Sequence, residues 1–525
     1  MGGLTGVSSF SKGLPMNTTS TTDSAAAPSA AVKTLDLDSA RAVLAKVNQE
    51  HLLQFAAELS PSQRTALLAQ IASIDWATVP ALVQKYVLGK DASAAGGSIE
   101  PVKHYPADET SGAGRGAWDR AFYKQKGIEL IAAGKVAAFT VAGGQGSRLG
   151  FEGPKGCYPA GSVTRKPLFA CLAEWIIAAQ RAWCAPGKTI PWYIMTSPLN
   201  HEATVGFFKE HRYFGLREQD VMFFRQGVMP SFDMTTGKVL LNQKHEIAVN
   251  PDGHGGSIKA LAVSGALADM QRRGIEQLSY TQIDNPLVKV IDPAFIGLHA
   301  FAPDSSGQMS SKMVAKASAG EKVGVLCTVS GKTGVVEYSD MPKALTEATN
   351  PPPDGSLKFN AGSIAVHVIS VKFLQQLGGG GGGGAGGAAM QLPYHRAEKK
   401  VPHVDLSTGQ RVEPTKNNAV KLEAFVFDAL AMCEKSIVLE TIRRDEFAPI
   451  KNASAPGVSD TPETCSAIQT ERALAWLAQA WGPAGYAGME RDCVLELPAT
   501  SAMEPMELKS KNIKPVIARG AKLVL

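Results

Sequence analysis

The sequence predicts an α/β fold: a doubly wound, mostly parallel sheet, preceded by a helical region and followed by a small C-terminal β domain. Three observations carry that prediction. Short apolar runs alternate with helical periodicity from Lys135 to Asp284, the pattern of a sheet with helices on both faces. The first run, Val136–Val141, feeds directly into Ala142-Gly143-Gly144-Gln145-Gly146-Ser147-Arg148-Leu149-Gly150, and ligands of open α/β sheets bind beyond the carboxyl ends of strands. From Lys322 the pattern changes to short alternating strands.

A chain of 525 residues, 44% hydrophobic and 19% charged, can bury a large core and divide into two or three domains. Its net charge of +5 is mild for this length and no dense basic block occurs, so nucleic acid is not required. The 7 cysteines are scattered, with no CxxC and no His/Cys cluster at ligand spacing, which points to reduced thiols and a cytoplasmic protein. No apolar run approaches the ~18 residues of a membrane span. The N-terminus lacks the apolar core of a signal peptide, and no Arg precedes Arg41, against a transit peptide.

Taken in order, residues 1–32 can bury too little apolar surface and read as a disordered tail, with Met16 a second candidate start beside Met1. Residues 33–125 are helical: Leu44, Val47, Leu52, Phe55 and Leu59 recur at helical steps, and Ser60-Pro61 opens a further helix. We read this region as a packing or self-association element, compatible with a homodimer. Residues 126–442 form the central domain. Helices are expected at 167–183, 202–211 and 257–273, and strands at 191–197, 221–224 and 278–284, the last ending on Asp284. Short strands follow at 323–326, 334–338 and 358–364, then a glycine tract at 378–387, expected as a mobile surface insertion without catalytic role. Residues 421–432 read as a helix and 445–452 as a polar loop. Residues 443–525 form the C-terminal domain, with a helix at 467–480 and short strands ending at 516–517 and 523–525.

The chemistry concentrates in the loop. Glycines free to adopt φ > 0 let backbone N–H groups approach an anion closely, and Arg148 and Lys155 offer it two cations. Two better-known loops are excluded. A dinucleotide-binding GxGxxG would need glycine at 149, which is leucine; the ATP-binding P-loop needs Gly-Lys-Ser/Thr, but Lys155 lies between Pro154 and Gly156. What remains is GGxGSRLG with a downstream Pro-Lys.

That motif and those after it resemble the eukaryotic-type UDP-N-acetylglucosamine pyrophosphorylases, within the wider UDP-sugar pyrophosphorylase family. The resemblance covers about residues 100 to 455 and rests on ordered segments that include VAGGQGSRLGFEGPKG, WYIMTS, MFFRQGVMPSFD, NPDGHGG, IDNPLVKV, VVEYSD, FNAGSIAVH, LPYHRAEKKVPHVD, KLEAFVFD and RRDEFAPIKN. It implies a nucleotidyltransferase with a GT-A-like, Rossmann-type core and a uridylyltransferase reaction: a sugar-1-phosphate oxygen attacks the α-phosphorus of UTP and pyrophosphate leaves. That nucleophile is anionic near neutral pH, so no general base is needed, and no Ser-His-Asp or Cys-His constellation stands out.

By this resemblance, Val141, Ala142, Gly143 and Gly144 would contact UTP through backbone groups. Arg148 would face its β- and γ-phosphates and Lys155 its α-phosphate. Gln226 would read uracil, Gly253 would let the base lie against backbone, and Lys421 would touch UTP phosphates. Asp284 would serve the UTP and metal side, with Mg²⁺ the expected ion and Mn²⁺ the alternative. Lys451, His254, Glu337, Tyr338 and Asn360 would line the sugar phosphate. Arg148, Lys155 and Lys421 are the expected catalytic cations. His254 departs from the family, whose N-acetylglucosamine enzymes carry Asn there and whose glucose-type relatives use Gly-His-Gly. The expected partners are UTP and a sugar 1-phosphate, with no nucleic acid and no membrane. Two alternatives stay open: a glucose-1-phosphate or broad-specificity enzyme, and a non-catalytic nucleotide-sugar binder.

Overall fold

A computed structural model of the chain describes residues 35–89, 97–378, 392–482 and 492–525. The expected N-terminal tail and nearly all of the glycine tract lie outside the described residues. The strands that build the site are, in chain order, β1 (Ile99–Pro101), β2 (Val136–Val141), β3 (Trp192–Thr196), β4 (Val221–Arg225), β5 (Phe232–Asp233), β6 (Gln277–Gln282), β7 (Met309–Ala315), β8 (Val325–Val329), β9 (Lys332–Val336), β10 (Ala361–Ser370), β11 (Tyr394–Lys399), β12 (Ala419–Ala424) and β13 (Val438–Glu440).

All but β5, β11 and β12 join one 10-stranded mixed sheet. Strands β6, β2, β3 and β4 lie side by side and parallel. Beyond β6 the sheet turns antiparallel through β10 and the β8–β9 hairpin, where the sequence pattern also changes. Register brings the parallel strand ends to one edge: Val141 pairs with Gln282 and Met195, and Thr196 with Arg225. The segments that leave β2, β3, β4 and β6 therefore start together.

Double winding is visible in the alternation along single strands. Val136 and Ala138 enter one core with the helix Leu168–Trp183, while Ala137 and Phe139 enter another with the helices Gly256–Val263 and Ala266–Arg273. Trp192 and Ile194 likewise oppose Tyr193 and Met195. Both faces of these strands are buried, which explains their unbroken apolar runs.

A second sheet, β11–β12–β5, stands apart from the first. Val420 and Leu422 turn one of its faces into a core shared with the N-terminal helices, including Leu44, Leu67 and Ile71. The same region is tied by Val239 N–H to Gln49 Oε1 at 2.8 Å. The N-terminal helices thus act as the backing of the strand that carries Lys421.

The C-terminal segment is a helix, Pro462–Trp481, capped by Thr461, with two short parallel strands, Val494–Glu496 and Lys522–Val524. Its buried Glu496 accepts N–H groups of Val163 and Thr164, both at 2.8 Å, and pairs with Lys166 at 3.0 Å.

Several expected elements differ. Residues 257–273 form two helices because Gly265 takes φ 82° between them. Residues 421–432 are not a helix: Ala419–Ala424 is a strand, and Val426–Met432 is a 3₁₀ run. The apolar alternation Val420, Leu422, Ala424 has period two and outweighed the helical reading. Strand β6 ends at Gln282, so Asp284 lies in the following turn; β10 begins at Ala361, just after Asn360. Residues 445–452 begin inside a single helical turn, Arg443–Glu446. Val516 is in no strand and is 93% exposed.

Candidate active site

Loop 142–150 is held from below through its carbonyls. Ala142 N–H donates to Met195 O at 2.7 Å, continuing the β2–β3 ladder. Asn200 is fully buried; its amide donates to Ala142 O at 2.9 Å and Gly144 O at 3.2 Å, and its Oδ1 accepts Ser197 N–H at 2.8 Å. Lys155 N–H closes the loop onto Gly144 O at 3.0 Å. Among the described residues, the N–H groups of Gly143, Gly144 and Gln145 have no protein acceptor. Successive free N–H groups in a glycine-rich turn form an anion-binding concavity.

Lys155 and Asp284 face each other across this loop, Nζ to Oδ2 3.6 Å, with side chains 16% and 14% exposed. Asp284 is placed by Ile283 N–H donating to Val141 O at 3.2 Å. Lys451 is drawn in by the neighbouring bond, Ile450 N–H to Asp284 O at 2.9 Å. Buried Asn285 clamps the two segments: its amide donates to Glu446 O at 2.7 Å and its Oδ1 accepts Ala448 N–H at 3.1 Å. Lys451 Nζ lies 3.5 Å from Asp460 Oδ2 and over the Phe447 ring.

An ionic triad lies beneath. Lys312, with no exposed side-chain area, donates to Asp292 at 2.7 Å and to Glu446. Thr441 Oγ1 donates to the other Glu446 oxygen at 2.7 Å. Burial alone would raise the Asp292 carboxyl, but the Lys312 ammonium overrides it and holds it well below the usual carboxylate range. The triad ties the segment after Asp284 to the segment before Lys451.

Beside the loop, Gln226 Oε1 lies so close to Gly143 that a Cβ there would meet it at 2.8 Å. Gln226 Nε2 donates to Gly253 O at 2.9 Å and to Asp252 Oδ1 at 3.3 Å. The turn therefore occupies its amide protons and leaves Oε1 as its free function. Gly253 has φ 82°, and a Cβ there would collide with Ala424 O at 2.3 Å. Only glycine fits. Buried Asp252, whose carboxyl is raised by desolvation, fills the space that Cβ atoms at Gly227 and Gly256 would need.

The second sheet meets the same turn. Gly255 N–H donates to Ala424 O at 2.8 Å, and Ala424 N–H to Asp252 O at 2.9 Å. Lys421 lies three residues upstream on β12, half-buried and without an ion-pair partner among the described residues. His254 Nδ1 accepts Val426 N–H at 3.1 Å and its ring stacks on Phe425 at 5.1 Å. Burial, then the nearby His395, lowers its pKa to about 4. His254 is therefore neutral near pH 7, its proton on Nε2, with a single donor to offer. Glu337, just past β9, is half-buried and its carboxyl is raised by burial, then by Asp340.

Three expected residues stand less engaged. Arg148 is exposed and has no side-chain partner among the described residues. Tyr338 is 49% exposed and makes no side-chain hydrogen bond or ring contact among them. The Asn360 side chain makes no hydrogen bond among them; its carbonyl accepts Lys316 N–H at 2.9 Å. Sequence reasoning missed Asn200, Asn285 and Asp252. The Ser197-x-x-Asn200 spacing between strand and helix is the one local signal that could have pointed to Asn200.

Sheet, glycine loop and the facing Lys155 and Asp284 define a doubly wound α/β nucleotidyltransferase fold with its candidate site at the carboxyl edge of the parallel strands. Comparison with known proteins carries this further. Residues 121–456 match the family described as UTP--glucose-1-phosphate uridylyltransferase, and the chain belongs to that family. It is 37% identical over 441 residues to the UDP-N-acetylhexosamine pyrophosphorylase-like protein 1 of Xenopus tropicalis, covering 82% of each chain. It is 35% identical over 445 residues to the UDP-N-acetylglucosamine pyrophosphorylase of Saccharomyces cerevisiae, covering 83% of this chain and 90% of that one. The crystal structure of the Trypanosoma brucei uridine diphosphate N-acetylglucosamine pyrophosphorylase, solved with an inhibitor, superposes with a TM-score of 0.76 at 26% identity, covering 91% and 94% of the two chains.

Proposed function

We propose that the protein is a uridylyltransferase that makes UDP-N-acetylglucosamine and pyrophosphate from UTP and N-acetylglucosamine 1-phosphate. The observation that carries this reading is the set of three consecutive N–H groups at 143–145 without a protein acceptor among the described residues, joined through Gly144 O to Lys155, which pairs with Asp284. The names of the yeast and Trypanosoma relatives support the sugar.

In this reading the loop N–H groups hold the UTP phosphates, and Gln226 Oε1 accepts the uracil N3–H. Lys155 neutralises the α-phosphate as the acceptor phosphate approaches it in line. Arg148 and Lys421 close on the leaving pyrophosphate, and Lys451 holds the acceptor phosphate beside Asp284. Catalysis then consists of alignment and charge neutralisation, with each cation contributing ~3–4 kcal/mol to the transition state. Glu337 and Asn360 address the sugar, with Tyr338 at the rim. His254 offers its Nε2–H to the 2-substituent.

Asp284 fits a hard divalent ion of the kind that takes one carboxylate and draws its remaining ligands from phosphate and water. No group of three His, Cys, Asp or Glu able to hold a metal occurs among the described residues, so the substrate would supply most of the coordination. Mg²⁺, or Mn²⁺ in its place, would neutralise phosphate charge there.

The test is formation of UDP-linked product from UTP, Mg²⁺ and a panel of N-acetylglucosamine, N-acetylgalactosamine, glucose and galactose 1-phosphates. Fastest turnover with N-acetylglucosamine 1-phosphate is expected. Preference for glucose 1-phosphate would move the assignment to the sister activity, and no product with any sugar would leave a nucleotide-sugar binder.

A further inference from the structure

One cluster near the sugar side has no role in the reaction above. His395 on β11 donates through Nε2 to Asp428 Oδ2 at 2.9 Å. The same carboxylate oxygen accepts Phe425 N–H at 3.3 Å. The His395 ring stacks on the Phe425 ring, centroids 4.3 Å apart and planes 29° from parallel. Phe425 also stacks on His254, and the next residue, Val426, gives His254 its hydrogen bond. Phe425 is thus gripped by its backbone through Asp428 and by its ring through His395. The grip passes to His254 through both contacts.

We propose that His395 and Asp428 form a positioning pair for the sugar-phosphate subsite, holding Phe425 and through it His254 in the orientation that meets the sugar. This inference rests on the uridylyltransferase reading. Neither residue touches the reacting phosphates, so the pair sets affinity for the sugar phosphate and leaves UTP binding alone.

The pair depends on protonation. Burial lowers the His395 pKa, but the Asp428 carboxylate, with Asp340 and Glu337 adding to it, raises it above its ordinary value. Those carboxylates face His395 from the 3₁₀ run and from the turn after β9; Glu423 stands opposite it on β12, and His254 faces it as the one neighbouring imidazole. A raised value means that the charged pair is intact at lower pH and is lost as pH rises through it. Grip on the sugar phosphate should weaken in step.

The experiment measures KM for N-acetylglucosamine 1-phosphate and for UTP, and kcat, from pH 6 to 9, for the wild type, Asp428→Asn, His395→Phe and His395→Gln. Thermal unfolding of each serves as the fold control. Asp428→Asn should raise KM for the sugar phosphate roughly tenfold, the cost of one charged hydrogen bond, with KM for UTP within about twofold. His395→Phe keeps the stack without the charge, His395→Gln a donor without the stack, and each should fall between. In the wild type the sugar-phosphate KM should climb on the alkaline side, and in Asp428→Asn that climb should move to lower pH. Equal rises in both KM values, or a fall in kcat alone, would overturn the positioning role, as would an unmoved pH profile in a folded Asp428→Asn protein. Absence of turnover in the wild type would instead refute the uridylyltransferase reading.

Discussion

Asn200 is the residue on which the loop geometry depends most. Its amide ties Ala142 O and Gly144 O from below, so the intervening N–H groups face outward unpaired. Replacement by alanine removes those two bonds and the two that Oδ1 accepts from Ser197 N–H and Oγ–H. At ~1 kcal/mol net per neutral hydrogen bond the direct loss is ~4 kcal/mol, and buried groups left unsatisfied add to it. In a chain of this size that should lower the thermal midpoint by several degrees. The sharper variant is Asn200→Asp, which keeps the shape and the Ser197 contact but turns an oxygen toward two carbonyl oxygens. Both variants should raise KM for UTP far more than KM for the sugar phosphate, as a collapsed anion cradle requires. Calorimetry and initial-rate kinetics on the same preparations provide the assay. An unchanged midpoint with an unchanged KM for UTP in Asn200→Asp would refute the claim that Asn200 shapes the loop.

Lys155→Ala should reduce turnover by at least ~10²-fold while the thermal midpoint shifts by no more than a few degrees, since the residue forms one partly exposed ion pair. Near-normal rates would show that the loop does not hold the reacting phosphate. His254→Asn should shift turnover between N-acetylglucosamine and glucose 1-phosphates, because Asn can accept Val426 N–H yet presents amide protons where His254 presents one ring N–H; an identical sugar ratio would make His254 a turn residue only. Lys312→Met should destabilise the protein by ~3–5 kcal/mol, because two carboxylates then lie buried without their cation, and an unshifted unfolding midpoint would contradict this. The depressed Asp292 carboxyl gives the matching pH signature. Its contribution is complete above the ordinary carboxyl range near pH 4 and is lost as pH falls toward its folded value, so acid scans of Asp292→Asn should lack that component.

Much of this was legible because the parallel strands are buried on both faces. Their continuous apolar runs, each followed by a turn at the same edge, announced the double winding and the edge that carries the candidate site. The glycine loop was legible as a motif, but the expected positive φ is met only at Gly150, at 66°; at Gly143 and Gly146 it is space that a Cβ would contest, with Gln226 Oε1 at 2.8 Å and Phe151 at 2.7 Å, while Gly144 stands open. Gly253 was named from resemblance, and the structure supplies the reason: Ala424 leaves no room for a Cβ. Elsewhere two signals competed. Residues 419–424 alternate with period two, but their neighbours continue an apolar run, and the strand became clear only with the N-terminal helices packed behind it. Asn200, Asn285 and the Lys312 triad were illegible for another reason. Each acts between segments far apart in the chain, and no local pattern records a hydrogen bond from Asn285 to Glu446 or an ion pair from Lys312 to Asp292.

The central claim is transfer of a uridylyl group through attack at the α-phosphorus. It is tested most directly with UTP labelled at the α-phosphate, N-acetylglucosamine 1-phosphate and Mg²⁺, by following where the label goes. All label should enter a UDP-linked sugar while one unlabelled pyrophosphate is released per turnover. Label recovered in UMP or UDP, or phosphate released in place of pyrophosphate, would contradict it.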